Sequence, residues 1–216
     1  MPVEPHRTTP LSRSALEAIL DRDTNIVSLP RSVDPSMRAA LVQTAQRSTF
    51  RHAACLDTSS PDVGDLLADI QDQAVADFLA ADIGHLAQLF GATLGRRHLH
   101  AELAVQRTDG CRKIHADYVT VRMLCTYAGP GTEWLPDEHL VRKHLGASDL
   151  DLDDANRLVV RWGADVQRCE IGEVLLLKGH AYPGNAGRGA AHRSPPLGSS
   201  GVARLLLKID EHSCGC

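Results

Sequence analysis

The sequence predicts an α+β fold in which N-terminal helices pack on a C-terminal antiparallel β-sandwich or barrel. Apolar residues recur at helical steps up to Gly95, and beyond it the pattern changes to short alternating or β-branched runs divided by Gly and Pro. Most of these later runs follow one another with no helical pattern between them. That order favours antiparallel neighbours over a parallel sheet with crossover helices.

The elements follow in order. Residues 1–13 are polar and proline-punctuated and are expected to form a mobile arm, with a helical layer over 14–98. "SRSALEAILDR" places serines before an apolar-periodic run, and "DPSMRAALVQTAQRS" offers Asp34 as an N-cap with Pro35 at the first helical position. The longest periodic stretch runs from Ser59 to Gly95, with Val63, Leu66, Leu67, Ile70, Phe78, Leu79, Ile83, Leu86, Phe90 and Leu94 three or four residues apart; Gly84 is expected to split it. From residue 99 to 210 the expected strands are "LHAELAVQRTD", "IHADYVTVRMLCTY", "RLVVRW", "GEVLLLKG" and "GVARLLLKID". The acidic segment 147–156 reads as an exposed loop or short helix.

At 216 residues the chain suits one large domain or a core with an appendage. Its formal charge of −4 and lack of a basic face argue against a dedicated nucleic-acid binder. No stretch approaches the ~18 apolar residues of a membrane span, and the first residues lack the apolar run of a secretion signal. A soluble, cytoplasmic protein is expected. In that reducing compartment Cys55, Cys111, Cys125 and Cys169 are expected to be buried small hydrophobes.

The chemistry centres on "KIHADYVTVRMLCTY". Read as one strand, it puts His115, Asp117, Val119, Val121, Met123, Cys125 and Tyr127 on one face. A buried carboxylate there needs a cation, a donor network or a metal, because leaving it unpaired costs several kcal/mol. A third ligand would be His192 in "HRSPP" or His180 in "KGHAYPGN", and His192 is favoured because it leads directly into the final strand. "YAGPGTEW" reads as a turn that brings Glu133 and Trp134 near the site as a rim. The tail 211–216 gathers His212, Cys214 and Cys216, soft donors suited to Zn(II) or Cu(I) as a secondary metal site. The glycines of "YPGNAGRGAAH" lack the Gly-Lys-Ser/Thr ending of a phosphate loop, and no Gly-x-Ser-x-Gly is present.

On these residues a resemblance is visible. Residues 99–210 resemble the double-stranded β-helix, a cupin- and jelly-roll-like barrel, of iron(II)/2-oxoglutarate oxygenases. "HADYVTVRMLCTYAGPGTEW" is similar to their metal-binding strand and its neighbour, and "GEVLLLKG", "HRSPP" and "ARLLLKID" to their closing strands. The order His-x-Asp, distant His, then Arg is that of the 2-His-1-carboxylate dioxygenases. The resemblance implies that His115, Asp117 and His192 hold Fe(II) and that Arg204 pairs with the far carboxylate of 2-oxoglutarate, with Tyr127 or Ser194 adding a hydrogen bond. It also implies oxidation of a small-molecule or protein substrate that the residues do not identify.

"TYAGPGTEWLP", "LLLKG" and "HRSPP" more closely resemble a bacterial family that is itself a domain of unknown function, whose members are often encoded beside zinc-homeostasis genes. That implies a second reading, a non-catalytic Zn(II) protein using the same triad; a silent barrel serving protein interaction is a third.

One feature of the final strand conflicts with the oxygenase pattern. Arg204 shares its face with Leu206 and Lys208, whereas Ala203, Leu205, Leu207 and Ile209 form the cleaner apolar face. If the cleaner face lines the barrel interior, Arg204 points away from the metal, and either Arg193, Lys178 or Lys113 is the cation in its place or no 2-oxoglutarate is bound.

Overall fold

The structure is a computed structural model that describes residues 8–146, 150–198 and 201–211. Two antiparallel sheets and a set of helices make up the fold. The larger sheet has six strands: β1 (Ile26–Leu29), β2 (Arg51–Asp57), β3 (His98–Gln106), β4 (Val121–Ala128), β7 (Val174–Lys178) and β9 (Arg204–Glu211), in the order β1-β7-β4-β9-β3-β2. The smaller has three: β5 (Glu133–Leu135), β6 (Gln167–Arg168) and β8 (Ala191–Arg193), in the order β6-β5-β8.

Local chemistry places the helices. Helix α1 (Arg13–Glu17) starts where the Ser12 hydroxyl accepts from the Ala15 amide, and α2 (Pro35–Arg47) has Asp34 as its cap and Pro35 in its first turn. Helix α3 (Gln73–Leu94) is capped by Asp72 and ends at Gly95, whose φ of 63° is the left-handed conformation that glycine adopts without strain. Gly84 does not break it. A single glycine costs about 1 kcal/mol in a helix, and the buried face of Val75, Phe78, Leu79, Ile83, Leu86 and Phe90 outweighs that cost.

These helices share one apolar core with one face of the large sheet. Leu16, Met37, Leu41, Leu79, Ile83 and Phe90 meet Leu103, Met123, Leu176, Leu205, Leu207 and Ile209 there. Strand β7 is buried throughout because both of its faces are covered: Val174 and Leu176 join the helical core, while Leu175 and Leu177 meet Leu124, Cys169, Ala190 and Trp134 between the two sheets. Burial on both sides explains why "VLLL" shows no alternation.

Three expectations need correction. The segment 14–98 supplies the two outer strands of the large sheet, β1 and β2, as well as helices. Residues 152–159 form helix α4 (Leu152–Val159), so most of the expected strand "RLVVRW" is absent; the Asp151 side chain caps the helix, and its buried positions Ala155, Asn156 and Val159 lie on one face. Strand β4 begins at Val121 rather than Ile114. His115, Asp117 and Val119 therefore do not continue the face of Met123 and Tyr127.

A buried polar network ties the layers together. Asp82 of α3 accepts from Arg31 at 2.6 and 3.0 Å, from the Tyr127 hydroxyl at 2.7 Å and from the Thr8 hydroxyl at 3.0 Å. Thr8, within the expected arm, also bridges Val33. Burial pushes the Cys125 thiol beside this network up to about 12. No described helix is long and apolar enough to cross a membrane. Replacing Asp82 by Asn leaves the buried Arg31 charge uncompensated, with an expected loss of about 3–5 kcal/mol. Tyr127→Phe is expected to cost about 1.5–3 kcal/mol; urea unfolding measures both.

Candidate metal centre

The candidate centre is assembled from two segments that run beside each other. His115 lies between β3 and β4 and pairs with His192 of β8, each amide donating to the other's carbonyl at 3.0 and 2.9 Å. This pairing brings the two rings to 4.6 Å between centroids. Asp117 follows in an irregular stretch stitched to the residues after β7: the His180 amide donates to the Asp117 carbonyl at 2.9 Å and the Ala181 amide to the Val119 carbonyl at 3.1 Å. Gly179 permits that approach, since a Cβ there would lie 2.1 Å from the Val119 carbonyl oxygen. On the other side, the Asn156 carboxamide of α4 accepts from the Ile114 amide at 2.7 Å and donates to the Arg112 carbonyl at 3.0 Å.

One ligand atom from each of His115, Asp117 and His192 lies within 4.8 Å of the others, and among the described residues this is the one cluster suited to a metal ion. His115 Nδ1 is 2.8 Å from the Lys113 carbonyl and His192 Nδ1 is 3.2 Å from the Ala190 carbonyl. A carbonyl can only accept, so each Nδ1 carries a proton, and each ring, when neutral, presents an Nε2 lone pair. Both Nε2 atoms face Asp117: His115 Nε2 is 3.4 Å from Oδ1 and His192 Nε2 is 3.2 Å from Oδ2. Three electron-pair donors converge on one point, which is favourable when a cation or a shared proton stands among them.

Arg122 is the remaining neighbour. It donates through Nη1 to Asp117 Oδ2 and through Nε and Nη2 to both oxygens of Asp210, each at 2.7 Å. Burial alone would raise the Asp117 carboxyl, but hydrogen bonds that His115 and His192 donate when their Nε2 atoms carry a proton, together with the charges of His192 and Arg122, outweigh it and hold the group well below the usual carboxylate range. The hydrogen bond to Asp117 raises His115 against the opposing effect of burial.

A cleft of about 260 Å³ opens over the cluster, and Arg122, Thr132, Ser194 and Arg204 line it as well. Arg204 is 1% exposed. It donates to Thr132 at 2.7 Å, Thr126 at 3.2 Å and Gln106 at 3.3 Å, and its buried Nε has no hydrogen-bond partner. Burial brings its guanidinium down to about 10, still cationic at neutral pH. Strand alternation settles its direction: Leu205, Leu207 and Ile209 face the helical core, while Arg204, Leu206 and Lys208 face the cleft. The cleaner apolar face covers the helices rather than the space between the sheets.

Other candidates are placed elsewhere. Tyr127 lies on the helical side of β4 with its hydroxyl on Asp82, so the cosubstrate contact expected of it is not formed by this geometry. His180 Nδ1 accepts from the Gly189 amide at 3.3 Å, outside the cluster. Arg193 reaches the cleft, but its Nε donates to Glu133 at 2.6 Å; Glu133 also accepts from Arg168 and is buried as the partner of both arginines rather than forming a rim. Lys178 Nζ donates to the Asp21 carbonyl at 2.7 Å, and neither Lys178 nor Lys113 lines the cleft. Cys125 and Cys169 are buried as expected, whereas Cys55 and Cys111 are exposed. His212, Cys214 and Cys216 lie outside the described residues.

Sequence reasoning missed Arg122, Asn156, Thr126 and Thr132. The signal for Arg122 was a single charge in the otherwise uncharged alternation of β4. Nothing in the sequence marked Asn156, whose role depends on where α4 packs.

Fold and cluster define a mixed helix-and-sheet protein with antiparallel sheets and a candidate two-histidine, one-carboxylate metal centre. A family profile described as protein of unknown function (DUF1826) matches residues 12–210, and the chain belongs to that family. No curated protein matches it. Among solved structures it is similar to apo HygX from Streptomyces hygroscopicus, at 14% identity over 93% of this chain and 86% of that one with a TM-score of 0.49. It is also similar to a Pseudomonas putida prolyl-4-hydroxylase, at 14% identity over 100% of both chains with a TM-score of 0.48. The dioxygenase for auxin oxidation in rice matches at 14% identity over 92% of this chain and 76% of that one, with a TM-score of 0.48.

Alanine at His115, Asp117 or His192 is expected to weaken divalent-metal binding by more than about 100-fold, the upper end of what loss of a supporting residue costs. His180→Ala is expected to have a smaller effect. Equilibrium dialysis with Mn(II) or anaerobic Fe(II) distinguishes them.

Proposed function

We propose that this protein is a non-haem Fe(II)- and 2-oxoglutarate-dependent oxygenase whose substrate, a small molecule or a protein, is not yet identified. The observation that carries the reading is a single cleft holding the convergent His115, Asp117 and His192 ligand atoms and the buried Arg204 cation. In this reading the two sheets are the halves of a double-stranded β-helix, with the N-terminal helices as its outer layer, and the protein works in the cytoplasm.

The residues fit both groups. Two imidazoles and a carboxylate, with no thiolate, form the donor set of the facial triad, which leaves coordination positions open. Arg204 fits a planar carboxylate: a guanidinium is a rigid fork, and this one is buried with an unsatisfied Nε and, among the described residues, no ion-pair partner. When bound, the metal and the keto acid would supply the chemistry that turns dioxygen into the oxidant, the keto acid being oxidised and losing CO2 alongside the substrate.

The chain's own work is binding and orientation. The Lys113 and Ala190 carbonyls hold the Nδ1 protons and so fix the ring orientations, leaving Nε2 of each ring as the atom that gives up any proton and takes the metal. Thr126, Thr132 and Gln106 hold the Arg204 guanidinium in place. Leu124 and Leu206 give the cleft an apolar wall that strengthens electrostatic contacts inside it. Ser194 supplies a hydroxyl to the same cleft.

Anaerobic purification with metal analysis, followed by 2-oxoglutarate titration, tests the proposal. Stoichiometric iron and a metal-to-ligand charge-transfer band on adding 2-oxoglutarate support it; tightly held zinc with no cosubstrate binding overturns it in favour of a zinc protein. Arg204→Met is expected to retain the metal and to weaken 2-oxoglutarate by about 2–5 kcal/mol, roughly 30-fold or more.

A further inference from the structure

We infer that Arg122, clamped by Asp210, is a positioning residue that makes Asp117 a one-oxygen ligand and keeps a coordination position open on the metal. The inference rests on the metal reading of the site and specifies how its carboxylate is used. Asp117 has two oxygens, and a carboxylate with both available can chelate a divalent ion. Here Oδ2 already accepts from Arg122 Nη1, leaving Oδ1 as the oxygen without a guanidinium on it. Arg122 is not free to withdraw, because its Nε and Nη2 are tied to Asp210 in a bidentate pair at 2.7 Å.

The sheet register fixes this arrangement: Arg122 of β4 and Asp210 of β9 are direct cross-strand partners. Both are partly buried, with side chains 18% and 16% exposed, so their charges are only partly screened by solvent. The second consequence is electrostatic. Arg122 draws negative charge from Asp117 and weakens its hold on a cation, while Asp210 offsets the positive charge of Arg122. The two residues therefore act on metal affinity in opposite directions, which a merely structural ion pair does not do.

Mn(II) is the probe, added to the full chain, with affinity read by titration and inner-sphere water by proton relaxivity. On a six-coordinate ion, three protein ligands leave three positions for water. Arg122→Met is expected to tighten Mn(II) by about tenfold, within the range of outer-shell effects, and to lower relaxivity by about one third as Asp117 takes a second position. Asp210→Asn is expected to weaken Mn(II), and Arg122→Lys, which keeps a donor beside Asp117, to restore the wild-type relaxivity.

The inference is overturned if Arg122→Met keeps the wild-type relaxivity, or if Arg122→Met and Asp210→Asn both weaken binding. Should Arg122→Met fail to fold, the other two variants decide: tighter binding by Asp210→Asn, or relaxivity lost in Arg122→Lys, overturns it. Wild-type protein that binds no Mn(II) through Asp117 takes down the metal reading together with this inference. Wild-type binding with the wrong response in the variants takes down this inference alone.

Discussion

The large sheet separates two different surroundings, a dry helical layer on one side and a cleft on the other, and side-chain alternation is the device by which each strand serves both. In β4, Val121, Met123, Cys125 and Tyr127 enter the helical core, while Arg122 and Leu124 line the cleft. In β9, Leu205, Leu207 and Ile209 go one way and Arg204, Leu206 and Lys208 the other. A shift of one residue in either strand would turn a guanidinium into the helical core and a leucine or methionine into the cleft. The energetic penalty for burying an unpaired charge against the helices makes that register a firm constraint.

The candidate metal centre depends on this constraint without being built on the sheet itself. His115 and Asp117 sit in an irregular stretch ahead of β4, and His192 sits on the small sheet. The stretch is held by backbone hydrogen bonds to His192, His180 and Ala181 and by the Asn156 carboxamide. The large sheet contributes the charges around the cluster: Arg122 beside Asp117, Asp210 behind Arg122, and Arg204 in the same cleft. The candidate ligands thus come from an irregular segment and from the small sheet, and the charged groups around them from strands of the large sheet.

Much of the fold was legible because local signals are strong where they are repeated or capped. Asp34 with Pro35 marked α2, and the three- and four-residue spacing through Phe90 marked α3. The run "VLLL" between glycines marked β7 as a strand, although its burial on both faces depends on the small sheet and so was not visible locally. "RLVVRW" misled because β-branched content suggested a strand, whereas the Asp151 cap and the packing of Asn156 and Val159 made its first half, through Val159, helix. The strand carrying His115 was drawn too long for a related reason. Alternation continues through Val119 in the sequence, but hydrogen bonds to residues 180 and 181 take the backbone there instead of the neighbouring strand.

For the site, the sequence by itself determined the donor chemistry: a His-x-Asp pair, a later histidine leading into a final strand, and an arginine in that strand. Residue type sets what a side chain can donate or accept, and that does not wait for folding. Tertiary structure decided which candidates meet. It selected His192 over His180, turned Arg204 toward the cleft, placed Tyr127 on Asp82, engaged Arg193 with Glu133, and brought Arg122 to Asp117. These outcomes depend on which face of each strand is covered by helices and which by the second sheet. That assignment is made by packing between segments far apart in the chain, where no local pattern records it.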